Sequence, residues 1–136
     1  MFAAACETGA YVGGASKTQV EALHNFGDAL GICFQIIDDF LDYRGKKASL
    51  GKNTGNDFKE RKVTLPLIIA YSQASKEEKE FWERTIEKGE QEPEDFKKAL
   101  NILNDKGVLD ATYNIALDWS NIAKRNLRKK LIKGLR

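Results

Sequence analysis

The chain has 136 residues, 42% apolar and 31% charged, which suits one domain of ordinary size in the globular class. A net charge of +2 is too small to point to nucleic acid, and no apolar run reaches the length of a membrane span. Cys6 and Cys33 form no metal or redox spacing and read as buried free thiols of a reducing compartment; Met1-Phe2-Ala3 has no basic leader, so the expected location is the cytoplasm.

Residues 2–15 are mostly small, which lets a helix pack closely, and Gly13-Gly14 should end it. The opening is apolar at once, as if cut from the middle of a fold. Ser16 and Gln19 form a capping box for a helix from about Lys17 to Tyr43, ~40 Å long at a rise of 1.5 Å per residue. Such a length predicts the central helix of a bundle. Val20, Leu23, Gly27, Leu30, Phe34, Ile37 and Leu41 recur at steps of three and four, predicting one buried stripe. Gly31, Gln35, Asp38 and Asp42 form a second row. His24, the sole histidine, falls beside the stripe with no partner evident and reads as packed or solvated.

The end of this helix carries the chemistry. Asp38, Asp39 and Asp42 make a D-D-x-x-D pattern inside the apolar run Phe34, Ile36, Ile37, Phe40, Leu41. Asp38 and Asp42 share a face and Asp39 lies on its flank. Three like charges with no basic residue before Arg44 call for a counter-charge. A hard divalent cation with oxygen ligands fits, and Mg²⁺, which keeps waters and substrate phosphates among its ligands, fits best. Residues 44–63 then form a long loop rich in Gly and Lys. Lys52 lies between Gly51 and Gly55, and Lys62 follows ten residues later. Glycines let backbone N–H groups approach phosphates and lysines supply point charge. The loop lacks the ending of a Walker A sequence.

Thr64 to Tyr71 restarts helix, with Pro66 in its first turn. Ser75 and Glu78 cap a helix through Lys88, stopped by Gly89. Pro93 opens the next, with Glu94 and Asp95 suited to its dipole, and Gly107 ends it. A last helix is predicted from about Leu109 to Lys133. Its end carries Lys124, Arg125, Arg128, Lys129, Lys130, Lys133 and Arg136 without an acid, and Leu127, Leu131 and Leu135 on one stripe. It reads as an outer bundle helix, with weak contact to an anionic membrane surface as the alternative. No segment alternates with period two, so the fold class is all-α, a helical bundle.

Phe34-Gln35-Ile36-Ile37-Asp38-Asp39-Phe40-Leu41-Asp42 resembles the second aspartate-rich motif of the trans-prenyl diphosphate synthases. The runs Gly51-Lys52-Asn53-Thr54-Gly55-Asn56-Asp57 and Lys62-Val63-Thr64-Leu65-Pro66-Leu67 resemble the segment that follows it in that family. Residues 2–10 are similar to the helix that precedes it, and the match spans residues 2–70. The resemblance implies an isoprenoid-synthase-type bundle, working as a homodimer, that condenses isopentenyl diphosphate with an allylic diphosphate through Mg²⁺-assisted loss of diphosphate. It further implies Asp38 and Asp42 as Mg²⁺ ligands with Asp39 in support, Lys52 and Lys62 at the diphosphate, and Gln35 beside the reacting carbons. The family's first aspartate-rich motif, the arginines that hold isopentenyl diphosphate and its Lys-Thr pair do not occur in these residues. The expectation is therefore a single domain, residues 1–136, forming the C-terminal half of a polyprenyl synthase truncated at the N-terminus and inactive alone. The rival readings are a non-catalytic partner subunit of a full-length synthase and a plain helical interaction module.

Overall fold

The computed structural model describes residues 1–44 and 54–130. Seven α-helices and one π-helical turn occur among them: α1 (Phe2–Val12), α2 (Lys17–Arg44), α3 (Asn56–Lys59), α4 (Leu65–Ser72), α5 (Lys76–Trp82), the π turn (Glu83–Glu87), α6 (Asp95–Asp105) and α7 (Val108–Lys130). No strand occurs among the described residues, as the absence of period-two alternation predicts.

Local chemistry sets most of the helix ends. At α2 the Gln19 side chain accepts from the Ser16 N–H at 2.9 Å while Ser16 Oγ accepts from the Gln19 N–H at 3.4 Å. At α5 the Ser75 N–H donates to Glu78 Oε2 at 2.7 Å and the Glu78 N–H to Ser75 Oγ at 3.3 Å, the second expected capping box. The predicted helix from Ser75 to Lys88 is α5 continued by the π turn. Gly89 (φ +75°) and Gly107 (φ +64°) end helical segments in the left-handed region. Pro93 opens a turn, and helix begins two residues later at Asp95, whose Oδ2 accepts the Glu92 N–H at 2.7 Å.

Two compact units emerge, residues 1–35 with 114 onward, and residues 36–113. In the first, the buried apolar residues among those described are all alanines: Ala10, Ala22, Ala29, Ala116 and Ala123. Small side chains let helix backbones approach closely. A Cβ on Gly27 would lie 2.6 Å from the Phe2 carbonyl oxygen and 2.9 Å from the Ala3 Cα, so only glycine fits where α1 meets α2. His24 has a partner that sequence distance concealed, Glu7 of α1, with Nδ1 and Oε2 2.7 Å apart. Cys6 and Cys33 are half-buried free thiols, less enclosed than expected. On α7, Lys124, Arg125 and Arg128 are exposed and Leu127 is half-buried; Leu131, Leu135 and the rest of the basic run from 131 lie outside the described residues.

The second unit holds the large buried side chains. Phe40, Tyr43, Phe58, Leu67, Phe81, Trp82, Leu103 and Leu109 form one core, with Phe96 packed against it. The expected buried stripe of α2 is corrected in part: Gly27 is buried, and Val20, Leu23, Leu30 and Ile37 are half-buried. Phe34 is 59% exposed and Leu41 37%, whereas Ala22, Ala29, Ile36 and Tyr43, spaced by seven, are buried with Phe40. A helix apolar on several faces does not reveal by periodicity which face is covered. Among the described residues no helix is long and apolar enough to cross a membrane.

Candidate functional site

The acids stand at the C-terminal end of α2, where the unpaired carbonyls of the last turn already disfavour negative charge. Asp38 is exposed, Asp42 half-buried and Asp39 buried at 9% exposure. Arg44, the nearest basic residue in sequence, pairs with Asp110 at 2.9 Å.

The short helix α3 is brought against this end. The Gly55 N–H donates to the Asp42 carbonyl oxygen at 2.9 Å. The Asp57 N–H donates to Asp42 Oδ2 at 2.9 Å. Gly55 is in the left-handed region at φ +81°, and a Cβ there would meet the Phe96 ring at 2.5 Å. Any side chain at this position would therefore be both conformationally strained and sterically blocked. Lys62 completes the turn. Its N–H donates to the Asp57 carbonyl at 2.8 Å, and its Nζ lies 3.6 Å from Asp57 Oδ1 and 2.7 Å from Glu60 Oε2.

Asp57 is the site residue that sequence reasoning missed. Its place after Gly55-Asn56, beyond an acid-rich helix end, was the available signal, but nothing local shows that it folds back onto Asp42. Its side chain is 13% exposed. Burial raises its pKa above the ordinary aspartate range, the Asp42 charge adds to this, and Lys62 offsets part of it. The Lys62 ammonium is shifted upward, mainly by its hydrogen bond to Glu60. Tyr43 lies beneath. Its hydroxyl is buried without a hydrogen-bond partner among the described residues, and burial, then Asp57, Asp42 and Asp39, push its pKa up. In both, burial is the larger cause and the neighbouring carboxylates add to it.

An aspartate held with a raised pKa keeps its proton more tightly in the folded chain than in the unfolded one. Its ionised form therefore costs stability above the carboxylate range, and that cost disappears as pH falls below the unfolded aspartate pKa of about 4. Asp57→Asn should melt at a higher temperature than the parent at pH 7, with the gap closing near pH 3.5. Thermal unfolding at the two pH values checks this.

Of the residues expected at the site, Asp38, Asp39, Asp42 and Lys62 fall in the second unit. Gln35 lies in the first, exposed, on an open depression of about 430 Å³ lined also by Phe2, Gly27, Gly31 and Phe34. Lys52 lies outside the described residues. Among the described residues no group of three or more carboxylate, histidine or cysteine side chains is arranged to hold a metal ion. Asp38, Asp39 and Asp42 offer oxygen atoms, the donor type that a hard cation such as Mg²⁺ takes together with water and phosphate oxygens.

The fold and this site define an all-α protein with a carboxylate-rich helix end and a lysine turn folded onto it. The sequence profile of the polyprenyl synthetase family matches residues 1–103, and the chain belongs to that family. It is 34% identical over 127 residues to a short chain isoprenyl diphosphate synthase of Methanothermobacter thermautotrophicus, covering 93% of this chain and 38% of the relative. Among solved structures it is similar to a decaprenyl diphosphate synthase from Rhodobacter capsulatus, with 50% identity, a TM-score of 0.86, and coverage of 94% of this chain and 39% of that one. A polyprenyl synthase from Caulobacter crescentus CB15, solved with calcium and isoprenyl diphosphate, shows 46% identity and a TM-score of 0.88 over 93% of this chain and 39% of its own. The chain thus spans about two fifths of the length of these three relatives.

Proposed function

We propose that this chain contributes the second aspartate-rich part of a trans-prenyl diphosphate synthase, which joins isopentenyl diphosphate to an allylic diphosphate with loss of diphosphate. The observation that carries this reading is the hydrogen bond from the Asp57 N–H to Asp42 Oδ2, with Lys62 beside Asp57. It gathers carboxylates and a cation from two chain segments at one helix end. Asp38 and Asp42 hold Mg²⁺ directly or through water, and Asp39 supports them from the interior. Lys62, with Lys52, adds positive charge at the diphosphate, and Gln35 is assigned beside the reacting carbons by its place in the motif. When bound, Mg²⁺ supplies charge stabilisation at the departing diphosphate. The chain acts in the cytoplasm, as a homo-oligomer or beside a partner synthase subunit.

Calorimetry tests this reading. Pyrophosphate should tighten Mg²⁺ binding by about tenfold or more, within the usual range of coupling between ligands. Asp38→Ala, which removes an exposed carboxylate, should abolish that coupling while leaving the melting temperature nearly unchanged. Mg²⁺ affinity that is indifferent to pyrophosphate in the parent chain would count against the reading.

A further inference from the structure

The turn that carries Asp57 does not hold itself. At four residues, α3 is far shorter than a helix that persists alone. Its contacts with Asp42 come from the side that faces the acids. The Phe58 ring anchors it in the core, against Trp82 and Phe96, and its peptide is held by Gln91, in the connection between the π turn and α6. The Gln91 side-chain amide donates to the Phe58 carbonyl at 2.8 Å and to the Thr85 carbonyl at 3.0 Å. Those two bonds use both of its N–H groups.

The two acceptors are both buried but belong to different elements, Phe58 to α3 and Thr85 to the π turn. Thr85 is fully buried, and its hydroxyl donates to the Phe81 carbonyl at 2.8 Å, so it is part of the rigid core. Phe58 follows Asp57 directly, and its carbonyl also takes the Arg61 N–H at 3.1 Å, in the turn that brings Lys62 back. Arg61 sits at φ +59°, a strained conformation for a residue with a side chain, so this turn needs outside support. Gln91, 33 residues further along the chain, thus ties the peptide next to Asp57 to the π turn.

We infer that Gln91 is a positioning residue for the acid–lysine site: it holds α3 in the register that puts the Asp57 N–H on Asp42 and Lys62 beside Asp57. It touches neither acid nor substrate and acts only through the Phe58 peptide. The inference deepens the prenyl synthase reading and rests on it for its consequence at the metal and diphosphate.

The test uses Gln91→Glu, which keeps the shape and loses both donors, and Gln91→Met, which keeps the length and carries no charge. Amide hydrogen exchange is followed at Asp57 and at Leu103 in the same sample, without metal, and Mg²⁺ titrations with and without pyrophosphate run in parallel. Asp57 should exchange at least about tenfold faster in both variants while Leu103 keeps its rate, since local opening need not follow global opening. The coupling between Mg²⁺ and pyrophosphate should fall by a similar factor. Unchanged exchange at Asp57, or equal acceleration at Asp57 and Leu103, overturns the inference, the latter by showing general loss of stability. Should Gln91→Glu fail to fold, Gln91→Met alone decides on the same criteria. A parent chain without coupling overturns the synthase reading instead, while the exchange rates still decide the role of Gln91.

Discussion

Gly55→Ala should destabilise the chain by about 3 kcal/mol, combining the left-handed backbone penalty with displacement of a packed ring. At this chain length that corresponds to a fall in melting temperature of about 10 °C. The ring of Phe96 cannot retreat freely. It lies against Phe58 with centroids 5.8 Å apart and against Tyr43 at 6.4 Å, both in the core. The substitution should also push α3 off the end of α2, because the Gly55 N–H itself bonds the Asp42 carbonyl. Gly107→Ala is the internal control. Gly107 also has positive φ, at +64°, but a Cβ there would meet nothing within 4 Å. It carries the backbone penalty alone, so the excess loss at Gly55 in parallel thermal melts measures the Phe96 contact. Equal losses at the two glycines would show that the contact does not constrain the turn.

Arg84→Met should destabilise the chain markedly, because it removes the partner of a buried carboxylate. Arg84 grips Asp95 with two bonds, Nη1 to Oδ2 at 2.9 Å and Nη2 to Oδ1 at 2.8 Å. The Asp95 side chain is only 7% exposed and would be left charged in the interior. Arg84 also donates to the Glu90 carbonyl at 2.6 Å, so its loss frees the connection leading to Gln91. The Arg84 hydrogen bonds, and secondarily the Glu92 N–H, hold the Asp95 pKa below the ordinary range. A depressed carboxylate contributes stability that is complete above the unfolded aspartate pKa and is lost as pH falls through the folded one. The deficit of Arg84→Met should therefore be largest at neutral pH and shrink on acidification. Adding Asp95→Asn should recover part of it, because the buried charge goes while an acceptor for the Glu92 N–H remains. Denaturant unfolding of the single and double variants at pH 7 and pH 3 measures both effects.

What the sequence determined by itself is what short-range chemistry decides. The Ser16–Gln19 and Ser75–Glu78 caps, the stops at Gly89 and Gly107, the span of α2 and the all-α class all rest on contacts within about four residues, and each is present as expected. The motif around Asp38, Asp39 and Asp42, with the segment after it, was specific enough to imply the family. Tertiary structure decided which surfaces meet. Periodicity favoured the stripe through Phe34 and Leu41, yet both are exposed, while Ala22, Ala29, Ile36 and Tyr43 are covered. Small residues gain from close helix approach, which no hydrophobic count registers, and α2 is apolar on more than one face. The partners Glu7–His24, Asp42–Asp57, Arg84–Asp95 and Gln91–Phe58 are separated by 17, 15, 11 and 33 residues. Such pairs form only after the chain has folded back on itself, so residue types and spacing do not specify them. The carboxylates were legible as a pattern, whereas the turn that supports them became visible only in three dimensions.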